Sequence, residues 1–133
     1  MIAIPAWWPG IADVTYPAGY RNWTHVKSAF MGPTHASYNT LGGFRHVYAN
    51  SKAMEGYRTR VFPEGSVIAF DYLQASDSAG FFSERERRQV DVMEKDSVRF
   101  AGTGGWGFQR FGSNSARVNA PSPQQCFACH DRL

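Results

Sequence analysis

The chain has 133 residues, of which 43% are hydrophobic and 15% aromatic, and its formal net charge at pH 7 is +3. This length and apolar content suit a single domain over residues 1–133 with a real core. The arginines are scattered and no run of about eighteen apolar residues exists, so neither a nucleic-acid-binding surface nor a membrane span is indicated.

The beginning of the chain is predicted to contain an irregular arm, a helix and a loop. Residues 1–19 hold Trp7 and Trp8 among prolines and glycines, which indicates an arm packed by the two tryptophans. From Tyr20 to Phe30 the apolar residues recur every three or four positions, which predicts an amphipathic helix. Residues 31–43 are rich in glycine, proline and asparagine, so we expect a loop.

The next segment is predicted to contain a strand, a short helix and a second strand. Phe44–Ala49 has strand composition, and Asn50 or Ser51 would cap a helix that ends near Arg58. A turn at Pro63-Glu64-Gly65 then precedes a strand over residues 66–74.

The strand over residues 66–74 carries bulky side chains on both faces. One face holds Ile68, Phe70 and Tyr72, and the other holds Val67, Ala69, Asp71 and Leu73. Such a pattern indicates a central strand, or a strand with a ligand on one side.

The remaining central segment is predicted to alternate between loops and strands. Residues 75–83 are small and polar and indicate a loop, and the charges over residues 84–88 alternate in sign, which is typical of a solvated edge. Residues 89–93 resume as a strand, with Asp91 on the face opposite Val90 and Val92.

The last part before the C-terminal motif is predicted to hold a short helix and a final strand. Asp96 would cap a helix ending at Gly102, a turn follows, and Trp106–Phe111 forms the strand. Residues 112–120 are a polar linker. Because strands dominate and their connections are short, the predicted fold class is α+β, mainly an antiparallel β-sheet with a few helices.

The C-terminal sequence Cys126-Phe127-Ala128-Cys129-His130 has the C-x-x-C-H pattern by which c-type haem is attached. Ser122 as N-cap and Pro123 at the first helical position predict a helix here. On a helix Cys126, Cys129 and His130 share one face, so both sulfurs can form thioethers with one haem while His130 binds the iron.

Two other chemistries are compatible with a C-x-x-C pair. A thioredoxin-like redox pair opens a helix after a strand, whereas this pair lies close to the end of the sequence. A zinc site needs a second pair of ligands, and His25, His35 and His46 are not spaced as such a pair. We therefore predict one covalent haem c per chain.

The N-terminal sequence lacks the basic segment of a secretory signal peptide. Covalent haem c is normally attached outside the cytoplasm. We therefore expect a mature form from which an export signal has been removed, with Met1 in its place.

Several short motifs follow one another in a characteristic order. They are Tyr20-Arg21-x-Trp23, Val47-Tyr48 with Ala53, Phe62-Pro63-Glu64-Gly65-Ser66-Val67, Lys95-Asp96-Ser97-x-Arg99-Phe100-Ala101, Trp106-Gly107-Phe108 and Cys126-x-x-Cys129-His130. Their order and spacing resemble the cytochrome P460 family and its relative cytochrome c′-beta over nearly the whole chain. The resemblance implies a homodimer in the periplasm, haem on the two cysteines, His130 as proximal ligand and an open distal side.

The resemblance also implies a departure from the hydroxylamine-oxidising members. Those enzymes carry a lysine bonded to the porphyrin, five residues after the glycine of the F-x-[DE]-G turn. The corresponding residue here is Phe70, and Lys27, Lys52 and Lys95 all lie off that strand. In the cytochrome c′-beta lineage phenylalanines crowd the distal side, so Phe70 and Phe30 are the expected cap. An apolar cap favours NO and CO over O2, because bound O2 needs a hydrogen-bond donor.

A carboxylate offers a second possible role. The hydroxylamine-oxidising relatives place a distal glutamate shortly before the K-D-S motif, and the corresponding position, four residues before Lys95, holds Asp91. Asp91 could accept a proton through water. Alternatively it pairs with a neighbouring arginine on the surface.

Three functions stay open from the sequence. The first is binding of NO and CO by a five-coordinate haem. The second is an enzyme, either a peroxidase using Asp91 or a hydroxylamine oxidase. The third is an electron carrier with an unidentified redox partner, in which a further side chain fills the sixth position of the iron. The candidate side chains are Met31, Met54, Met93, His25, His35 and His46.

Overall fold

A six-stranded antiparallel sheet forms the centre of the computed structural model, which describes residues 14–118. The strands are β1 (Thr24–Met31), β2 (Gly43–Ala49), β3 (Val67–Ser78), β4 (Phe81–Lys95), β5 (Trp106–Gly112) and β6 (Arg117–Val118). They lie side by side in chain order. The predicted fold class, a mainly antiparallel sheet with a few helices, is confirmed. The arm with Trp7 and Trp8 and the predicted haem helix lie outside the described residues.

Within residues 14–118 two α-helices and two single-turn 3₁₀ helices accompany the sheet. The α-helices are α1 (Tyr38–Leu41) and α2 (Ser51–Thr59), and the 3₁₀ turns are Tyr20–Asn22 and Ala101–Thr103. Within residues 14–118 no helix is long and apolar enough to cross a membrane.

Asn50 connects helix α2 to the sheet, as the predicted cap. Its side-chain oxygen accepts hydrogen bonds from the amides of Ala53, at 2.9 Å, and Val67, at 3.1 Å. Its side-chain nitrogen donates to the carbonyl of Gly65, at 3.0 Å. The Asn50 side chain therefore holds together the start of α2, the turn that precedes β3, and the first residue of β3.

The predicted helix from Tyr20 to Phe30 is wrong. The segment forms one 3₁₀ turn over Tyr20–Asn22 and then enters strand β1. A β-bulge between His25 and Lys27 adds a residue to the strand. Because a turn followed by a bulged strand also spaces apolar residues by three or four, the sequence period imitates that of a helix.

The predicted loop over residues 75–83 is also wrong. Strand β3 continues to Ser78, and Ala79 and Gly80 form a two-residue turn with φ angles of 52° and 86°. Positive φ at both positions is the hairpin geometry that joins strands of ordinary twist. The charged run over residues 84–88 therefore lies within β4 and pairs with β3.

The sequence did not predict α1, which lies in the expected loop over residues 31–43, or β6, which lies in the expected linker over residues 112–120. Strands β2 and β5, helix α2 and the alternation of β3 are confirmed, and β3 lies between β2 and β4 as a central strand. Asp96 accepts hydrogen bonds from the amides of Val98 and Arg99 as a cap does, but only a 3₁₀ turn follows.

The two faces of the sheet carry separate clusters. We define the Asp71 face by Tyr48, Ala69, Asp71, Leu73, Val90, Val92 and Phe111, and the Phe70 face by Arg45, Val47, Ile68, Phe70, Tyr72, Asp91, Met93, Phe108 and Arg110. Residues paired directly across strands share a face. The Asp71 face is buried beneath Val14, Tyr16, Tyr20, Trp23 and Phe100. Part of the Phe70 face is covered by α2 through Ala53 and Met54.

A buried ion pair holds the N-terminal segment on the Asp71 face. The Asp71 side chain is only 1% exposed, and its carboxylate accepts from Arg21 Nε at 2.7 Å, while the Arg21 side chain remains 52% exposed. Beside this pair, burial raises the pKa of Tyr20 to about 12, so its hydroxyl stays protonated at neutral pH.

Arg87 forms a second link between the same segment and the sheet. It donates to the hydroxyls of Tyr16, at 2.7 Å, and Tyr20, at 3.3 Å. It also donates to the carbonyl of Gly112, at 3.0 Å, and to Ser115 Oγ, at 2.8 Å. The N-terminal segment is therefore attached by polar contacts at both β3 and β4.

The unequal burial of the ion pair predicts unequal costs of removing its two partners. Arg21→Met leaves a buried carboxylate without its cation, and we expect the free energy of unfolding to fall by about 3 kcal/mol. Asp71→Asn leaves a cation that water can solvate, so a loss of about 1 kcal/mol is expected. Urea unfolding of the holoprotein measures both. Arg85→Met, at an exposed pair, is the control and should change stability by less than about 0.5 kcal/mol. Equal losses for the two ion-pair variants would contradict the assigned burial.

Candidate functional site

The predicted haem ligands Cys126, Cys129 and His130 lie outside the described residues. The site is therefore built from the sheet. Among residues 14–118 no group of three or more histidine, cysteine, aspartate or glutamate side chains is placed to hold a metal ion.

Phe70 lies in the middle of the half-buried Phe70 face. It is paired with Val47 on one neighbouring strand and with Asp91 on the other. Its neighbours in sequence, Ala69 and Asp71, are buried on the opposite face. The strand period therefore presents Phe70 on the more open side of the sheet, and Asp91 stands directly beside it.

Phe30 does not join Phe70. It pairs with Phe44, which in turn pairs with Leu73 on the Asp71 face. Its ring packs against Phe44 and Phe82, with ring centroids 5.0 and 4.7 Å apart. Phe30 and Phe70 thus lie on opposite faces of the sheet, and the expected pair of phenylalanines over one ligand is not brought together.

Asp91 is held by an arginine on the same face. Arg110 donates from Nε to Oδ1 at 2.8 Å and from Nη2 to Oδ2 at 3.0 Å, and Gln89 donates to Oδ1 at 3.3 Å. The Asp91 and Arg110 side chains are 28% and 25% exposed. The carboxylate therefore lies next to Phe70 and is engaged in a bidentate ion pair, as the second interpretation of Asp91 expected, whereas the role as proton acceptor stays a prediction.

The lysines lie away from β3. Lys27 is in β1, Lys52 in α2 and Lys95 at the end of β4, where its ammonium group lies 5.5 Å from the centre of the Trp106 ring. None of the three lysines therefore lies on the strand that holds Phe70.

The candidate sixth ligands are divided between the faces. Met31 and Met93 lie on the side of Phe70. Met54 packs from α2 against the buried cluster that contains Val47 and Ile68. On the opposite side Ser28 Oγ lies 2.7 Å from His25 Nε2 and 2.6 Å from His46 Nδ1, and His46 also contacts Glu84. His35 Nδ1 accepts a hydrogen bond from the Ser37 amide.

The composition of the Phe70 face fits a flat apolar cofactor with an acidic edge. Phe70, Met93 and Phe108 supply apolar surface on neighbouring strands, and Arg45 and Arg110 supply cations. Arg45 Nε is buried without a hydrogen-bond partner within the described part of the chain. A buried arginine nitrogen without a partner can donate a hydrogen bond to an anionic group, such as a porphyrin carboxylate.

Sequence reasoning placed Tyr72 on the same face as Phe70 but missed Arg45 and Arg110 as residues of this surface. Tyr72 follows Phe70 by two positions and therefore shares its face, which the strand period already implies. Arg45 and Arg110 are placed beside Tyr72 and Asp91 only by the register of β2 and β5.

A comparison with protein families agrees with the resemblance seen in the order of the sequence motifs. The family model described as Cytochrome P460 matches residues 17–133, which include the whole sheet and the C-x-x-C-H sequence. No match was found among curated proteins. The chain therefore belongs to the cytochrome P460 family, and haem is the cofactor that this membership implies.

Proposed function

We propose that this protein is a periplasmic c-type cytochrome with one covalent haem, whose open and apolar distal side binds NO and CO. Cys126 and Cys129 would hold the haem through thioethers, and His130 would be the proximal ligand of the iron. When bound, the haem supplies an iron centre with one position free for a small ligand. The observation that carries the proposal is Phe70 on the half-buried face of β3, at the position where the family resemblance expects a lysine in the hydroxylamine-oxidising members.

Phe70 affects ligand preference because its side chain has no polar group. Its ring offers neither a hydrogen-bond donor nor a charge, so it gives no stabilisation to bound O2 or to anions, whereas NO and CO need none. The ring also fills space on the half-buried Phe70 face, and we expect it to slow the approach of a ligand.

The ion pair beside Phe70 supports the same selectivity. Two nitrogens of Arg110 donate to the Asp91 carboxylate. A bidentate pair neutralises both charges and directs those donors away from a ligand next to Phe70. The neighbourhood of Phe70 is therefore less polar than its residue types suggest.

Homodimer formation and export to the periplasm form part of the proposal. The family resemblance supports the dimer, and the need to attach haem c outside the cytoplasm supports the location. Sedimentation of the holoprotein and fractionation of the source cells test these two points independently of ligand binding.

A peroxidase is the second candidate function, and the position of Asp91 favours it. A carboxylate beside Phe70 could move a proton to or from a bound peroxide. The ion pair with Arg110 opposes this, because both carboxylate oxygens already accept hydrogen bonds.

Three further predictions test the proposed function, and the first concerns the coordination of the iron. Visible spectra of the ferric and reduced holoprotein should be those of a high-spin five-coordinate haem and should shift on addition of NO or, in the reduced form, CO. A low-spin six-coordinate spectrum that ignores CO would overturn the proposal and favour an electron carrier, with Met93 or Met31 as the candidates on the Phe70 face.

The second prediction concerns Phe70 itself. Phe70→Ala should raise the association rate of CO about tenfold, a change of about 1.4 kcal/mol in the barrier, because the ring no longer obstructs the ligand. Phe30→Ala is the matched control, since Phe30 lies on the opposite face, and it should leave the rate unchanged. Flash photolysis of both variants decides the matter. Equal acceleration in the two variants would contradict the assigned faces.

The third prediction separates gas binding from peroxide chemistry. Asp91→Asn keeps the shape of the side chain and removes its basicity. If the protein binds gases without using Asp91, the rate of peroxide turnover stays within about twofold of wild type. A fall of 10²-fold or more, the size typical for loss of a general acid–base, would instead support the peroxidase.

A further inference from the structure

A half-open pocket of about 230 Å³ lies on the Phe70 face where β1, β2 and β3 meet. Ala29, Met31 and Leu41 form apolar walls, and Arg45, Tyr72 and His35 contribute the polar groups. Ala29 pairs with Arg45 and Arg45 with Tyr72, so these three side chains form a row across the sheet. The pocket thus combines a mainly apolar wall with one line of hydrogen-bond donors.

Arg45 is the charged group of this pocket. Its Nε is buried and has no hydrogen-bond partner among residues 14–118, and no carboxylate in that range lies within ion-pair distance of it. Arg88 adds a second cation nearby, because its Nε donates to the carbonyl of Gly42 at 3.0 Å. A half-buried guanidinium without an anion is unfavourable, and a bound carboxylate would relieve that cost.

Tyr72 and His35 add further donors. Burial raises the pKa of Tyr72, so the hydroxyl keeps its proton at neutral pH and can donate it. His35 Nδ1 accepts from the Ser37 amide at 3.0 Å, which leaves the ring proton of the neutral imidazole on Nε2. The polar groups of the pocket are therefore donors, and donors are what a carboxylate requires.

The backbone at the floor of the pocket requires glycine. Gly43 has a φ of 104°, and a Cβ at this position would lie 2.2 Å from the Leu73 carbonyl oxygen. Any larger residue would therefore force β2 away from β3 at the pocket.

We propose that this pocket binds a carboxylate attached to an apolar body, with Arg45 and Tyr72 as its donors. One monoanion is the expected charge, because Arg45 is the only cation that lines the pocket within the described residues. The carboxylate has two possible sources, a propionate of the haem or a diffusible small organic acid. Tyr72 follows Phe70 by two residues on the same face, about 7 Å along the strand, which a propionate extending from a porphyrin edge could span. The propionate source rests on the function proposed above, whereas the diffusible source does not.

The experiment uses the holoprotein and has two arms. In the first arm benzoate and its neutral analogue benzamide are titrated by calorimetry while the visible spectrum reports any ligation of the iron. In the second arm the propionate bending band is recorded by resonance Raman spectroscopy and the reduction potential is measured. Both arms compare wild type with Arg45→Gln, Arg45→Lys and Tyr72→Phe. Arg58→Gln, an exposed cation on α2, controls for the change in net charge.

If the carboxylate comes from a diffusible acid, benzoate should bind at least tenfold more tightly than benzamide, without changing the visible spectrum. Arg45→Gln should abolish this preference, Arg45→Lys and Tyr72→Phe should reduce it, and Arg58→Gln should keep it. If the carboxylate is a haem propionate, benzoate should not bind. The propionate bending band and the reduction potential should then change in Arg45→Gln but not in Arg58→Gln.

The proposal is overturned if the protein binds benzoate no more tightly than benzamide and if the Raman band and the reduction potential are the same in Arg45→Gln as in Arg58→Gln. Failure of the proposed gas binding is recognised separately. A six-coordinate haem that ignores CO would appear in the spectrum of every variant, and both arms would still report on Arg45.

Discussion

The ion pair between Arg21 and Asp71 determines which side of the sheet is closed. Asp71 is a charged residue in the middle of a central strand, and it is almost fully buried, so the fold must bring a cation to it. Arg21 does so from the segment that precedes β1. That segment carries Tyr20 with it, and the Asp71 face is thereby covered. The opposite face is left for other contacts.

Neighbouring residues of strand β3 have different roles because they lie on opposite faces of the sheet. Asp71 anchors the fold, while Phe70, one position earlier, stands on the more open face. Because successive side chains of a strand alternate, no rearrangement could place both on one side without losing the pairing with β2 and β4. The half-buried Phe70 face, with Asp91 and Arg110 beside Phe70 and with Arg45 and Tyr72 at its rim, follows from this single register.

Sequence reasoning identified the parts of the fold that local chemistry specifies. The alternation of β3 and the cap at Asn50 are visible in a few adjacent residues, and both are confirmed. The segment from Tyr20 to Phe30 was misassigned as a helix because a bulge changes the strand period. The hairpin at Ala79 and Gly80 lacks the usual asparagine or aspartate, so its turn was not recognised. The side occupied by Phe30, and the row that joins Arg45 to Tyr72, depend on pairing between distant strands, which no local pattern reveals.

The separation of the two faces has a consequence for how such a protein can evolve. The buried residues of the two faces form separate clusters, so substitutions in the two clusters should affect stability almost additively. Residues at positions such as 70, 72 and 91 can therefore be exchanged without loosening the core that Arg21 and Asp71 hold together. One scaffold can thus acquire a new ligand preference through a few changes on one side, and its descendants can differ in chemistry while they keep the same fold.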